Sequence, residues 1–448
     1  MRRIVLSTIA ALAVGATSLS AAQQFYVDEN GQVFTTSAPD RIAIENKETP
    51  VFIKGVKLEF SGTHYFGLTS ANPATVEGDT GLDKSKYPEA STGFEMRRNY
   101  VQVKAFFNDK DYFRVTLDAT KELAHNETAT DKNGDTVTIP RNGYANAFVK
   151  YAYLYLDEVL PFTGVEIGIV HRPWIDYEEH NAWHYRSFNK VMLEEKGTAT
   201  EAGVDLVNSA DLGFNLKTKT EFFSSEIGLF NGEGYHADKD AANQENSGDL
   251  SLEWRLTGHL LGDGKKVGKN DRTKATYAHI STYGLISKNH KDADDALNQV
   301  SSSALKSEYD RSFYGLHAVY NQPEFLIAAQ YAIAKDDAQD DVATATNWAK
   351  RDYNVWSING EYRPIKDWTV IGRYDNYTMD DVNMAGDDMS SSVAGSKIIA
   401  GLAYKYSKNV SFIGSGKFID EESTVGTQDG YDTGESKNVY MLTTEVKW

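Results

Sequence analysis

From residue 56 onward, apolar and polar residues alternate with a period of two, in segments of about ten residues, the signature of strands with two unlike faces. Val56, Leu58 and Phe60 share one face, with Lys57 and Glu59 on the other. Phe113, Val115, Leu117 and Ala119 alternate with Arg114, Thr116, Asp118 and Thr120. Leu250, Leu252, Trp254 and Leu256 alternate with Ser251, Glu253, Arg255 and Thr257. The last segment reaches the final residue, with Tyr440, Leu442, Thr444, Val446 and Trp448 on one face. Sixteen such segments predict strands over 56–69, 94–107, 112–123, 145–157, 163–172, 202–217, 220–230, 249–261, 274–287, 310–320, 324–334, 353–363, 367–377, 396–406, 409–419 and 438–448.

The connections alternate between short turns, such as 108–111, 218–219 and 407–408, and long loops of about twenty residues, such as 70–93, 124–144, 231–248 and 420–437. Only 262–273 is a longer member of the short set. This sorting predicts an all-β fold, a transmembrane antiparallel up-and-down β-barrel of about 16 strands over residues 56–448, with short turns in the periplasm and long loops outside. A strand number of that size leaves room for an aqueous channel.

The N-terminus fits an exported protein. Arg2-Arg3, the apolar stretch Ile4–Val14 and Ser20-Ala21-Ala22 before Gln23 predict a cleaved signal peptide over 1–22. Residues 23–55, with a hairpin-like pattern around Asn30-Gly31, precede the first strand and are expected in the periplasm, as a plug or as packing at the barrel base. The expected location is the bacterial outer membrane, facing its lipid and lipopolysaccharide.

Composition removes other classes. The absence of cysteine excludes disulfides, thiolate metal sites and a thiol nucleophile. A pI near 5.0 argues against a nucleic-acid partner. The formal charge of -18 becomes -20 once two arginines leave with the signal peptide, and the eight long loops account for all of it. The polar strand faces differ, with 13 cationic against 10 anionic side chains. The cations include Arg98, Lys104, Arg114, Lys150, Arg172, Lys217, Arg255, Arg373 and Lys397. A mid-bilayer Arg or Lys costs about 2–4 kcal/mol, so these faces are expected to line a wet interior.

Specific stretches resemble a known group. The terminal Thr443–Trp448 strand looks like the closing signal of outer-membrane barrels, with Trp in place of the usual Phe. Phe94–Arg98, Gly164–Gly168 leading to His171-Arg172-Pro173-Trp174, and Glu226–Gly232 resemble the phosphate-selective porin O and P family over about 94–236. The resemblance implies a passive channel, commonly a homotrimer, with an anion-leaning lumen. Phosphate selectivity does not transfer, because the arginine and lysine array it needs has no residue-by-residue match. In porins the third long loop folds inward and narrows the pore. Here that loop, 173–201, is rich in Trp, Tyr, Phe and His, unlike its neighbours. Exposed aromatics would form a costly apolar patch, so it is expected to fold inside.

The expected pore lining and constriction are therefore Arg98, Lys104, Arg114, Arg172, Asp176, Glu178, Glu179, Arg186 and Lys190. The plainer alternative is a loop packed on the wall by Trp174, Trp183 and Phe188, with its charges merely solvated. His180 and His184 have the i, i+4 spacing of a zinc pair, but Asn181 stands where the hydrolytic motif needs Glu. Tyr65, Tyr112, Tyr151, Tyr153, Tyr377, Tyr404 and Tyr406 are expected in the interfacial girdle, with a lumenal slide for sugars as the alternative.

The expected function is passive diffusion of small hydrophilic solutes and ions with weak anion preference, without cofactor or catalysis. A channel specific for sugar or phosphate is the alternative, and a hydrolase or adhesin on a barrel scaffold ranks behind it.

Overall fold

The computed structural model describes residues 25–28, 32–34, 36–39, 41–44, 51–53, 56–72, 75–77, 91–121, 125–130, 136–141, 145–195, 202–232, 234, 250–262, 272–288, 307–340, 348–383, 389–425 and 431–448. The expected signal peptide, 1–22, lies outside them. The chain divides into two compact units, residues 1–60 with 103–113, and residues 61–102 with 114–448. The first unit holds a small antiparallel sheet of Phe25–Asp28, Val33–Phe34 and Arg41–Ile44.

Sixteen long strands form a closed antiparallel barrel. They are β1 (Val56–Ala71), β2 (Ser91–Phe106), β3 (Tyr112–Lys121), β4 (Ala145–Leu160), β5 (Thr163–His171), β6 (Ala210–Lys219), β7 (Phe223–Phe230) and β8 (Ser251–Leu261). There follow β9 (Tyr277–Ser287), β10 (Ser307–Gln322), β11 (Phe325–Asp340), β12 (Trp348–Tyr362), β13 (Trp368–Asn383), β14 (Met389–Lys405), β15 (Val410–Val425) and β16 (Tyr431–Lys447). Closure comes from β16 against β1, with Leu442 opposite Leu68 and Lys447 opposite Thr63. The terminal Trp448 donates its indole N–H to His64 Nε2 at 3.0 Å.

The alternation read from the sequence sorts the two faces as expected. Leu117, Ile167, Leu252, Ile280, Ile398, Leu402 and Leu442 point outward and are exposed. Thr116, Asp118, Glu253, Arg255 and Thr257 point inward and are buried. Six strands, β11 to β16, extend well beyond the expected bounds on the long-loop side, so parts of the expected loops 335–351, 378–395 and 420–437 are hairpin. The loop 124–144 carries its own hairpin, His125–Thr130 against Thr136–Arg141.

Two expectations are corrected. The sixth strand begins at Ala210, not 202, because Val204, Leu206 and Val207 belong to the third long loop and are buried with it. Tyr65, Tyr151, Tyr153 and Tyr377 are not girdle residues. They are buried inside, whereas Tyr406 is exposed.

Candidate functional site: the folded third loop

The third long loop runs from Arg172 to Ser209, and its described residues, 172–195 and 202–209, lie inside the barrel. It opens with helix α1 (Pro173–Asn181), where Pro173 takes the first turn, a position that needs no N–H donor. Beyond Asn181 come extended segments and a 3-10 turn at Met192–Glu194. Trp174, Tyr177, Trp183, Phe188, Met192, Leu193 and Leu206 pack against inward residues of the wall, among them Tyr283, Phe313, Val355, Ile371, Ile399 and Ile413. Trp174 stacks on Tyr283 at 3.7 Å and 9°. Tyr283 in turn lies over Gly315, where a Cβ would come within 2.0 Å of the ring, so only glycine leaves room. These inward apolar residues occupy positions that periodicity assigns to the polar face, and the loop is the reason they are there.

Polar contacts complete the seat. Arg373 donates to Lys190 O at 2.7 Å, Asn359 to Ala182 O at 3.0 Å and Lys397 to Ala202 O at 2.6 Å. Arg311 clamps Asp336 with two bonds of 2.7 and 2.8 Å and also reaches Leu206 O at 3.3 Å. Lys397 pairs with Glu195 at 2.5 Å and Asp375 at 3.3 Å. At the tip, His184 and Arg272 meet Glu361 at 2.9 and 2.8 Å, and Arg363 joins them at 2.6 Å. Burial and Arg272 push the His184 imidazole down to about 4, against the opposing pull of Glu361. Glu178 receives a bond from Gln330 at 2.7 Å, and its other oxygen has no partner. Burial pushes its carboxyl up to about 8.

The nine predicted lining residues fall into distinct settings. Arg98 lies 3.5 Å from Asp118. Lys104 belongs to the first unit, 4.6 Å over the Tyr112 ring. Arg172 is fully buried in a triad with Asp211 at 2.6 Å and Glu253 at 3.1 Å, so it supports the loop base and does not line a pore. Glu178 likewise faces the wall. Arg186 is neutralised by Glu179 and Glu194. Burial works against ionisation of Glu194, but Arg186 holds its carboxyl well below the usual range.

Asp176 approaches Lys217, which also meets Glu166 and Glu226 within 3.5 Å. Arg114 bonds Tyr153 and His171 and lies 4.8 Å from the Tyr151 ring. Arg114 and Lys190 have no carboxylate within ion-pair distance among the described residues. The wet interior expected for all inward charges is thus confined. Arg373, Asp375 and Lys397 are at most 4 % exposed under the loop, while Asp176, Glu179 and Lys217 keep 21–24 % of their side chains accessible.

Lys217, His171, Glu195, Glu361 and the wall arginines are the important residues missing from the predicted set. Cross-strand pairing carried the signal for several. Lys217 stands opposite Glu226, Glu226 opposite Arg255, and Asp375 opposite Lys397. The zinc spacing of His180 and His184 does not survive, because the helix ends at Asn181. His180 bonds Asp176 O and His184 turns to Glu361.

No family model matches the chain. Porin O of Pseudomonas aeruginosa is 22% identical over 306 residues, a match covering 62% of this chain and 65% of Porin O, slightly under two thirds of its length. In-vitro folded OmpT, an outer membrane protein of Vibrio cholerae, shares the fold with a TM-score of 0.51 at 12% identity, covering 89% of this chain and 99% of OmpT. Its trimer form gives 0.50 at 12%, covering 88% and 99%.

Proposed function

We propose that this chain is an outer-membrane porin, a passive channel for small hydrophilic solutes and ions with weak anion preference, and not an enzyme. The observation that carries this reading is the one-sided seating of the third loop. It buries the charges of β12–β14 and leaves accessible charged side chains facing β2–β6. Arg114 faces that side with no carboxylate within ion-pair distance among the described residues, which supports a slight anion lean. Similarity to Porin O supports the class. The inward Tyr65, Tyr151 and Tyr153 beside Arg114 favour one second reading, a channel specific for sugar or phosphate.

The expected setting includes export by a cleaved segment 1–22, residues 23–55 in the periplasm, and lipid with lipopolysaccharide around the barrel. A homotrimer is supported by an outward row of small residues in register, Gly360 opposite Gly372, Gly372 opposite Ala400, and Ala400 opposite Gly416. OmpT also has a trimer form. Crosslinking in mild detergent should give trimer, and monomer alone would count against it.

Planar-bilayer recording in a salt gradient tests the channel reading. Wild type should show a weakly anion-selective reversal potential, and R98A/R114A/R186A should move it towards cations. A wild type that is strongly cation-selective at physiological salt, or one that does not conduct, overturns it.

A further inference from the structure

Three of the chain's 10 histidines lie together beneath α1. His259, His279 and His317 stand on the adjacent strands β8, β9 and β10, with His259 directly opposite His279. All three are buried, and the rings of His259 and His279 are 4.6 Å apart. His279 Nδ1 meets the Tyr177 hydroxyl of α1 at 2.8 Å, and its Nε2 has no partner. His317 has no hydrogen-bond partner on either nitrogen and packs edge-on against Trp174 and Tyr177, at 5.0 and 6.2 Å. His259 meets Ser224 Oγ at 3.1 Å and Glu221 O at 3.2 Å.

The groups facing this cluster do not welcome positive charge. Arg255 of β8 lies 4.6 Å from the Tyr177 ring and is paired with Glu226 at 3.2 Å. Lys219, at the end of β6, acts on His279 with the same sign as Arg255. Tyr277 stacks on His279 at 4.9 Å. From the loop come Trp174 and Tyr177. Among the described residues no carboxylate lies within ion-pair distance of His279 or His317. No group of three such side chains among the described residues is arranged to hold a metal ion.

A neutral imidazole tolerates this setting, but an imidazolium does not. Protonation of His279 or His317 turns an unpartnered nitrogen into a buried N–H donor and adds a charge with no carboxylate within ion-pair distance among the described residues. The strands are locked in the barrel ladder, whereas α1 is held by side-chain packing, so α1 is the element that can yield. We propose that His279 and His317 form an acid-sensitive latch, which seats Tyr177 and Trp174 of α1 when neutral and releases the helix when protonated. The latch's contribution to docking is then full above the ordinary imidazole range, near pH 6.5, and is lost as pH falls below it.

This goes beyond the channel reading and is tested without conductance. Full-length protein in lipid nanodiscs is followed by amide hydrogen exchange over residues 173–181, corrected for intrinsic rates, from pH 7 to 4.5. Wild type should lose protection at least tenfold, reversibly, and H279Q/H317F should stay nearly flat. The background is favourable, because between pH 6.5 and 4.5 Glu178 and His184 act on docking with opposite signs. H317F keeps the ring and forfeits no hydrogen bond. It carries the test alone if the double variant does not fold, with an expected threefold or larger reduction of the wild-type change. A wild type with unchanged protection at pH 4.5, or variants that lose protection as wild type does, overturns the latch.

Discussion

Replacing Glu178 by Gln should strengthen docking of the third loop at alkaline pH and leave it unchanged at acid pH. The carboxyl is 2% exposed, accepts one bond from Gln330 and leaves its second oxygen unpartnered. Burial is the main cause that raises it to about 8, with Asp375 and Glu179 adding to the rise and Arg373 opposing it. The docked state therefore binds this proton more tightly than the undocked loop, whose carboxyl titrates near the ordinary value. Glu178 imposes no penalty below about pH 4.5, and docking weakens progressively as pH rises towards 8. At about 1.4 kcal/mol per pH unit, the loss is roughly 3 kcal/mol at pH 7 and about 5 kcal/mol above pH 8.

His184 is the counterweight. Its imidazole is lowered in the docked state, so it supports docking fully above about pH 6.5 and loses that contribution as pH falls towards 4. The two slopes offset between pH 4.5 and 6.5, and above that only Glu178 acts. Wild-type amide protection over 173–181 should then fall about fifteenfold between pH 6.5 and 8, a loss of about 1.6 kcal/mol. The E178Q variant should show no such fall and should exceed wild type by more than about tenfold at pH 8. Equal protection of the two proteins at pH 8 would refute the reasoning, because the carboxyl would then be ionised in its seat at no cost.

Lys397→Met should loosen the loop by about 3–5 kcal/mol, since Glu195 and Asp375 lose a shared buried cation, and faster exchange at Met192–Glu195 would register it. Gly315→Ala should cost about 1–3 kcal/mol by driving Tyr283 off its place and breaking its stack with Trp174, seen as a loosened α1 in a barrel that still closes. Lowering the salt should erode anion preference, because the acidic loops reach further when the screening length exceeds its value of about 10 Å at 0.1 M. A reversal potential that does not change with salt would count against that field.

The barrel was legible because lipid on one side and a polar filling on the other impose a strict period of two, as in 250–257. The failures have one cause. Periodicity says which side a residue faces but not what it meets there. Ile371, Ile399 and Ile413 look misplaced on a polar face until Trp174, Trp183 and Phe188 are seen against them. Arg172 reads as pore lining, yet its partners lie at Asp211 and Glu253, on two later strands. The inward folding of the loop was legible from its aromatic content. Its true end, near Ser209, was not, since Val204, Leu206 and Val207 imitate a strand.

The contacts that seat this loop carry a consequence for the order in which the molecule matures. Arg311 reaches Leu206 across 105 positions of sequence, and Lys397 reaches Ala202 across 195. Both lie C-terminal to the loop they hold, and so do Arg373 and Asn359. A chain whose later strands have not yet joined the sheet has no place for Trp174 or Phe188 to go. Full docking therefore has to wait for the strands that carry these side chains, and the long loop closures that join them delay it. Until then the aromatic segment remains outside its seat, and its burial marks a wall that is complete.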